Sequence, residues 1–68
     1  MAEIAKVITV IGRSSESFAK AADAAVREAA KTVRDIHGAD VVSMSAVVED
    51  DHISEYRTTV NIAFGVER

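Results

Sequence analysis

The sequence predicts a small α+β domain of order β-α-β-β, in which a three-stranded antiparallel sheet is wrapped on one helix. Three observations lead to this prediction: a β-branched run near the start, an alanine-rich amphipathic segment after it, and two alternating segments separated by a short acidic turn. Alternation with a period of two is typical of strands, and apolar spacing of three and four is typical of a helix. A chain of 68 residues has no room for a second core, so residues 1–68 are expected to form one domain.

Residues 4–11, IAKVITVI, are predicted to form the first strand because β-branched side chains favour extended backbone. Gly12 is expected to permit a turn after this strand. Ser14 or Ser15 is then expected to cap the helix by accepting a backbone N–H bond in its first turn. Glu16 would lie where a negative charge meets the positive end of the helix dipole.

The helix is predicted to run from residue 17 to about residue 35. Its apolar residues recur at three-and-four spacing on one stripe, made mostly of alanine, and small side chains let a helix lie close to a sheet. On the charged opposite face, Asp23 and Arg27 are four residues apart and are expected to pair. The residues of the apolar stripe are Phe18, Ala22, Ala25, Val26, Ala29, Val33 and Ile36.

Residues 39–49 and 53–66 are predicted to be the second and third strands, joined as a hairpin. In the third strand one parity is mainly apolar and the other mainly polar, which indicates one buried face and one polar face. A single helix covers only one face of such a sheet, so the polar face would meet water, another subunit or an internal cavity. The apolar parity is Tyr56, Thr58, Val60, Ile62, Phe64 and Val66; the polar parity is Glu55, Arg57, Thr59, Asn61 and Ala63.

The composition predicts self-association. Only 4% of the residues are aromatic, cysteine is absent, and a chain this short buries only roughly 60% of its unfolded surface. A lone core of this size needs an additional source of stability. Because the chain has no cysteines for a disulfide or a thiolate zinc site, the remaining source is oligomerisation.

Charge and hydropathy exclude several classes of partner. The net charge is −3 and the eight Lys and Arg residues are scattered, which argues against nucleic acid because phosphate neutralisation needs a basic patch. No apolar stretch approaches the roughly 20 residues that span a bilayer, and no secretory signal is recognisable, so membranes are not expected as partners. The expected location is the cytoplasm, with which the absence of cysteine is compatible.

Two long segments resemble the dodecin family. KVITVIGRSSESFAKAADAAVREAAKTVRDI is similar to the family's opening strand, Gly-Ser turn and alanine-rich helix, and EDDHISEYRTTVNIAFGVE is similar to its closing hairpin. The likeness spans residues 6–67 without a gap. It implies a hollow homododecamer with helices outside and sheets curved toward the interior. It also implies a non-catalytic storage or buffering protein that binds flavins, riboflavin or FMN, in pairs at contacts between subunits.

The resemblance also implies where the flavin would lie, and there the sequence departs from the family. Typical members stack the flavin ring on a tryptophan at the start of the second strand and hydrogen-bond its edge through a glutamine of the third. Here Gly38 occupies the tryptophan position and Arg57 the glutamine position, so weakened or altered flavin binding is expected. The cofactor-binding residues implied are Ile36, His37, Gly38, Asp40 and Arg57.

Both substituted positions have a structural alternative. Gly38 can be a plain helix terminator with positive φ, rather than part of a site widened for a different ligand. Arg57 can form an ion pair with an acidic residue such as Glu55 or Asp40 across a strand or subunit boundary, rather than contact a ligand. Tyr56 has the wrong parity to replace the tryptophan and is expected in the core.

The acidic turn of Glu49, Asp50, Asp51 and His52 suggests an alternative function, that of a flavin-independent dodecin-like shell that binds divalent cations such as calcium. Calcium and magnesium favour carboxylate oxygens, and oligomer contacts can bring several copies of one loop together. Glu49, Asp50 and Asp51 are therefore candidate metal ligands, with a polar hairpin turn as the alternative. A transition-metal pair of His37 and His52 is a weaker candidate. Some family members lacking the tryptophan are associated with calcium. Some family members bind coenzyme A at a subunit junction, and the sequence indicates no position for that ligand here.

No catalytic constellation is recognisable. The segment after the first strand, GRSS, lacks the Gly-Lys-Ser/Thr signature of a phosphate loop, and no Ser-His-Asp arrangement can be placed. We therefore expect no enzyme activity.

Overall fold

The computed structural model describes residues 4–66, apart from the side chain of Val66. The two ends of the predicted domain, residues 1–3 and 67–68, lie outside the described residues. The elements are β1 (Ile4–Ser14), α1 (Phe18–Ala29), β2 (Ile36–Glu49) and β3 (His52–Val66). The strand order is β1-β3-β2, and β3 pairs antiparallel with both neighbours. The predicted β-α-β-β order and three-stranded antiparallel sheet are confirmed.

The core is a thin layer between α1 and the centre of the sheet. Ala21, Ala25 and Ala29 lie buried on the helix, over Val60 and Ile62 of β3, and all five are 5% exposed or less. The predicted apolar parity of β3 is confirmed at both of these strand positions. Ala21 was not in the predicted stripe, because adjacent alanines at 21 and 22 carry the same hydropathy and only the helix orientation distinguishes them.

The helix approaches β1 so closely that position 12 needs a glycine. Gly12 is buried in β1, which continues to Ser14, so the prediction of a turn at Gly12 is wrong. A Cβ there would overlap the Ala21 carbonyl oxygen and lie 2.9 Å from the Ala25 nitrogen. Beside this contact the buried Thr58 hydroxyl donates a hydrogen bond of 2.9 Å to the Phe18 carbonyl, which ties β3 to the first turn of α1.

Ser17, and neither Ser14 nor Ser15 as predicted, caps the helix. The Ser17 side-chain oxygen accepts a 3.0 Å hydrogen bond from the Lys20 backbone N–H, as an N-cap residue does. Ser14 instead stabilises the turn between β1 and α1, because its hydroxyl oxygen accepts a 2.9 Å hydrogen bond from the Glu16 N–H. The predicted Asp23–Arg27 pair is confirmed, with 2.6 Å between Oδ2 and Nε.

The helix ends at Ala29, about six residues earlier than predicted. The next amides bond to carbonyls three and four residues back, including Lys31 N to Glu28 O at 3.2 Å, which tightens and closes the last turn. Asp35 then takes a left-handed φ of 62°, and its carbonyl accepts from Gly65 N–H at 3.1 Å. Val33 and Ile36 therefore pack against the core from the connection and from β2 rather than from the helix.

The β2–β3 hairpin closes through a two-residue loop. Glu49 lies opposite His52, and the loop residues Asp50 and Asp51 both have positive φ, 52° and 65°. This is the requirement of a type I′ turn, whose twist matches that of the flanking strands. The predicted hairpin is confirmed, and β2 begins at Ile36 rather than at residue 39.

Candidate functional site

The sheet face turned away from α1, here called the open face, carries polar side chains in rows across the three strands. The register places Thr9, Asn61 and Asp40 in one row, Ile11, Thr59 and Ser43 in the next, and Arg13, Arg57 and Ser45 in a third. Within the first row the Thr9 hydroxyl donates to Asn61 Oδ1 at 2.7 Å. The open face can therefore present hydroxyl, amide and guanidinium groups to a ligand or another subunit.

The residues implied as flavin ligands lie in two separate places of one subunit. Gly38 is opposite Ala63, whereas Arg57 is opposite Ser45. Six residues of β3 separate these rows, which is about 20 Å at the usual strand rise. One chain does not bring Gly38 and Arg57 together, so a site that uses both needs residues from more than one subunit.

Gly38 is a strand residue, and its interpretation as a helix terminator with positive φ is wrong. No glycine among the described residues has positive φ, and the left-handed position after the helix is taken by Asp35. Gly38 follows a register shift in β2 that leaves His37 without a direct partner on β3. A Cβ at Gly38 would meet only the Ala63 Cβ at 3.9 Å, an ordinary contact, so the subunit itself has space for a side chain there.

The other residues implied around Gly38 differ in what they can offer. The Ile36 side chain packs against the core on the helix side of the sheet, so it does not face a ligand on the open face. His37 and Asp40 are exposed. Asp40 is opposite Asn61 on the open face, and its carboxylate is the charged group nearest to Gly38 along β2 that shares this face.

Arg57 forms an ion pair with Glu55 and not with Asp40, and it does so within β3 rather than across a strand or subunit boundary as predicted. Its Nε lies 2.6 Å from Glu55 Oε2, two residues back on the same strand, and the Arg57 side chain is 46% exposed. Asp40 is opposite Asn61, about 13 Å further along β3, and is out of reach within one chain. The pair uses Nε, so the terminal nitrogens of Arg57 keep N–H donors that can face a ligand.

The acidic residues of the hairpin do not form a metal cluster within one chain. Glu49, Asp50 and Asp51 are exposed at the tip, and in residues 4–66 no three acidic or histidine side chains converge on one point. His52 contacts its own turn, with Nδ1 3.2 Å from the Asp50 carbonyl oxygen. His37 lies about 40 Å from His52 along β2, so one subunit cannot supply them as a metal pair.

Arg13 is a charged residue of the open face that sequence reasoning does not select. It lies directly opposite Arg57, and with Ser14, Ser15, Ser54 and Glu55 it lines an open groove of about 370 Å³ where β1 leaves the sheet. Pairing of residues 13 and 57 depends on the strand register. The alternation of β1 places Arg13 on the polar face, but nothing local in the sequence identifies its partner.

Much of the apolar surface of one subunit is left uncovered. Val41 and Met44 lie on the helix side of β2, beyond the part of the sheet that α1 covers, and are 54% and 59% exposed. Exposed apolar patches of this kind mark interaction surfaces. The other large apolar residues left exposed are Ile4, Val7, Ile11, Val42, Val48 and Ile53. No helix in the described part of the chain is long and apolar enough to cross a membrane.

These features define a β-α-β-β domain with one helix-covered sheet face, one polar sheet face and uncovered apolar side chains. The dodecin family model matches residues 4–67. The chain belongs to the dodecin family.

Solved structures agree with this assignment. A variant of the Thermus thermophilus dodecin is 25% identical, with 96% of this chain and 97% of that chain covered and a TM-score of 0.91. The dodecin from Streptomyces coelicolor has the same fold at 23% identity, with coverage of 96% and 93% and a TM-score of 0.92. A Mycobacterium tuberculosis protein described as a calcium-chelating antigen, calcium dodecin, is 33% identical, with coverage of 96% and 93% and a TM-score of 0.83. No curated relative matches the chain.

Proposed function

We propose that this protein is a non-catalytic binding or storage protein that assembles as a hollow homododecamer and binds a flavin, riboflavin or FMN, with weakened or altered affinity. The observation that carries the proposal is membership of the dodecin family over residues 4–67. Cytoplasmic location, and the absence of membrane or nucleic-acid partners, stay predictions from the sequence.

Two features of the subunit support assembly. Among residues 4–65 the buried hydrophobic side chains are three alanines, one valine and one isoleucine, which is a small core for an independent domain. In the same described part of the chain, eight large apolar side chains are exposed. Burying them between subunits supplies the stability that the subunit core lacks.

The altered affinity follows from the two substituted positions. Gly38 offers no ring surface, and stacking of a nucleobase on an aromatic side chain is worth roughly 1–3 kcal/mol. Loss of about 2.7 kcal/mol weakens binding about a hundredfold. Arg57 only donates hydrogen bonds, whereas an amide side chain both donates and accepts, so Arg57 suits the flavin carbonyls but not its ring N–H.

Equilibrium dialysis of the purified assembly against riboflavin and FMN tests this proposal, because it counts bound ligand without requiring fluorescence quenching. We expect saturable binding that approaches one flavin per chain, weakened by Arg57→Ala and unchanged by Arg27→Ala on the outer helix face. Absence of saturable binding at millimolar flavin would overturn the flavin proposal.

A divalent cation is the second candidate ligand. It is favoured by the 33% identical calcium dodecin together with the exposed carboxylates of Glu49, Asp50 and Asp51. Symmetry would have to bring several hairpin tips together, because one tip does not form a cluster. Calcium or magnesium ions are hard cations that prefer such oxygen ligands.

Thermal unfolding with millimolar calcium or magnesium tests the second candidate. A cation that binds the assembly raises Tm, and Asp50→Asn combined with Asp51→Asn should remove that rise. Glu16→Gln combined with Glu28→Gln removes the same charge from α1 and the turn that precedes it, and serves as the control. A calcium effect that persists in the aspartate variant would exclude the hairpin tip.

A further inference from the structure

The row of Arg13 and Arg57 on the open face places two guanidinium side chains directly opposite each other on neighbouring strands. Opposed residues of an antiparallel pair have Cβ atoms about 4.5–5.5 Å apart, and like charges in this position destabilise the sheet. A negatively charged group bound beside the two guanidinium groups would therefore stabilise this part of the sheet.

Acidic residues of the chain neutralise only one of the two arginines. Glu55 contacts Nε of Arg57 at 2.6 Å. Arg13 is exposed and forms no ion pair with any residue of the described range 4–66. The Glu55 carboxylate thus neutralises Arg57 alone, and the row keeps the unneutralised positive charge of Arg13 together with the free terminal nitrogens of Arg57.

Hydroxyl groups lie at both ends of the arginine row. Ser45 lies opposite Arg57 on β2, and Ser15 lines the groove beside Arg13. Both serines are exposed. A ligand that spans the arginine pair can therefore receive hydrogen bonds from Ser15 beside Arg13 and from Ser45 beside Arg57.

We propose that Arg13 and Arg57 form an anion site on the open face that takes a phosphate group. A guanidinium fork matches phosphate oxygens bidentately, and two such forks suit a group with up to two negative charges and several acceptor oxygens. The inference rests on the proposed function for the role of Arg57 in ligand binding, and it adds Arg13 and the ligand class. The site prefers phosphate-bearing FMN to uncharged riboflavin.

The FMN and riboflavin affinities of wild type, Arg13→Gln and Arg27→Gln, measured by dialysis at low salt, test this preference. Arg27 is exposed, ion-paired with Asp23 and on the outer helix face, so its variant matches the charge change. We expect Arg13→Gln to weaken FMN binding about tenfold, as the loss of a charged hydrogen bond does, and to leave riboflavin binding unchanged. Equal wild-type affinities, or equal losses for both flavins, would overturn the anion site while leaving flavin binding intact.

A second test of the anion site uses inorganic phosphate and pyrophosphate and does not depend on flavin binding. We expect their ³¹P resonances to broaden when the wild-type assembly or the Arg27→Gln variant is added, and to broaden much less with Arg13→Gln. The Arg13→Gln variant should have the same gel-filtration size and Tm as the wild type, which shows that its assembly is intact. If neither flavin is retained, the flavin proposal fails and this broadening alone decides the anion site. Absent broadening, or equal broadening for all three proteins, would overturn it.

Discussion

The carbonyl oxygen of Ala21 occupies the space that a side chain at Gly12 would need, so α1 rests directly on the backbone of β1. The Ala25 nitrogen also lies only 2.9 Å from the position of a Cβ at Gly12. Both neighbours are helix backbone atoms, which cannot turn aside as a flexible side chain can. The contact between α1 and β1 therefore has no space for even one added methyl group.

Gly12→Ala should accordingly be strongly destabilising. Overpacking against backbone costs about 2–3 kcal/mol or more, and we expect Tm to fall by about 10 °C or more at fixed protein concentration. Gly38→Ala is the matched control, because its new methyl group meets only the Ala63 Cβ at 3.9 Å and its φ is not positive. Circular dichroism melts of both variants make the comparison, and equal Tm values would contradict the close contact at Gly12.

The Thr58 hydroxyl should contribute to stability through its bond to the Phe18 carbonyl. Thr58 is 1% exposed and this hydrogen bond is 2.9 Å long, so Thr58→Val removes a buried bond while keeping the side-chain shape. We expect a loss of about 1 kcal/mol, measured by denaturant unfolding. Thr59→Val, on the open face next to it, should change stability by no more than about 0.5 kcal/mol. A larger loss at Thr59 than at Thr58 would be inconsistent with this anchor.

The hairpin loop should be stabilised by glycine at its second position. Asp51 has a φ of 65°, where an L side chain is strained and glycine is not, and type I′ turns favour glycine there. Asp51→Gly should raise stability by about 0.4–1 kcal/mol in the absence of divalent cations. Asp51→Asn removes the same charge but keeps the Cβ, so an equal rise in both variants would assign the effect to charge rather than to backbone strain.

The sequence was sufficient for features that depend on local patterns. The alternation around Val60 and Ile62 identified the buried face of β3, and the spacing of Ala25 and Ala29 identified the helix stripe. The pair Asp50 and Asp51 lay in the predicted turn. For the strand and the helix, the periodicity of one segment fixes which side chains share a face.

Features that depend on contacts between distant segments were missed. The end of α1 lies at Ala29 although the apolar spacing continues to Val33 and Ile36, because side chains of a turn and of a strand can reach the same core. Gly12 and Gly38 were interpreted from backbone freedom, yet both lie in strands, and Gly12 serves the close approach of the helix. The Arg13–Arg57 row depends on register between segments more than forty residues apart.

Introducing an aromatic ring at Gly38 should raise the affinity for riboflavin. The position is in extended backbone with space beside Ala63, so Gly38→Trp can supply the stacking surface implied by the family resemblance. One stacked ring is worth roughly 1–3 kcal/mol, which corresponds to about a tenfold to hundredfold tighter Kd, and Arg57→Gln should add an acceptor for the ring edge. Riboflavin is the appropriate ligand because it lacks the phosphate that the arginine pair would also bind.

Ala39→Trp is the control for this prediction, because residue 39 lies opposite Ile62 and so faces the helix side of the same strand. It adds the same ring one residue away but on the wrong face. Dialysis should show tighter riboflavin binding for Gly38→Trp, tighter still for the double variant with Arg57→Gln, and no gain for Ala39→Trp. No gain at residue 38, or the same gain at residue 39, would mean that Gly38 does not border the flavin.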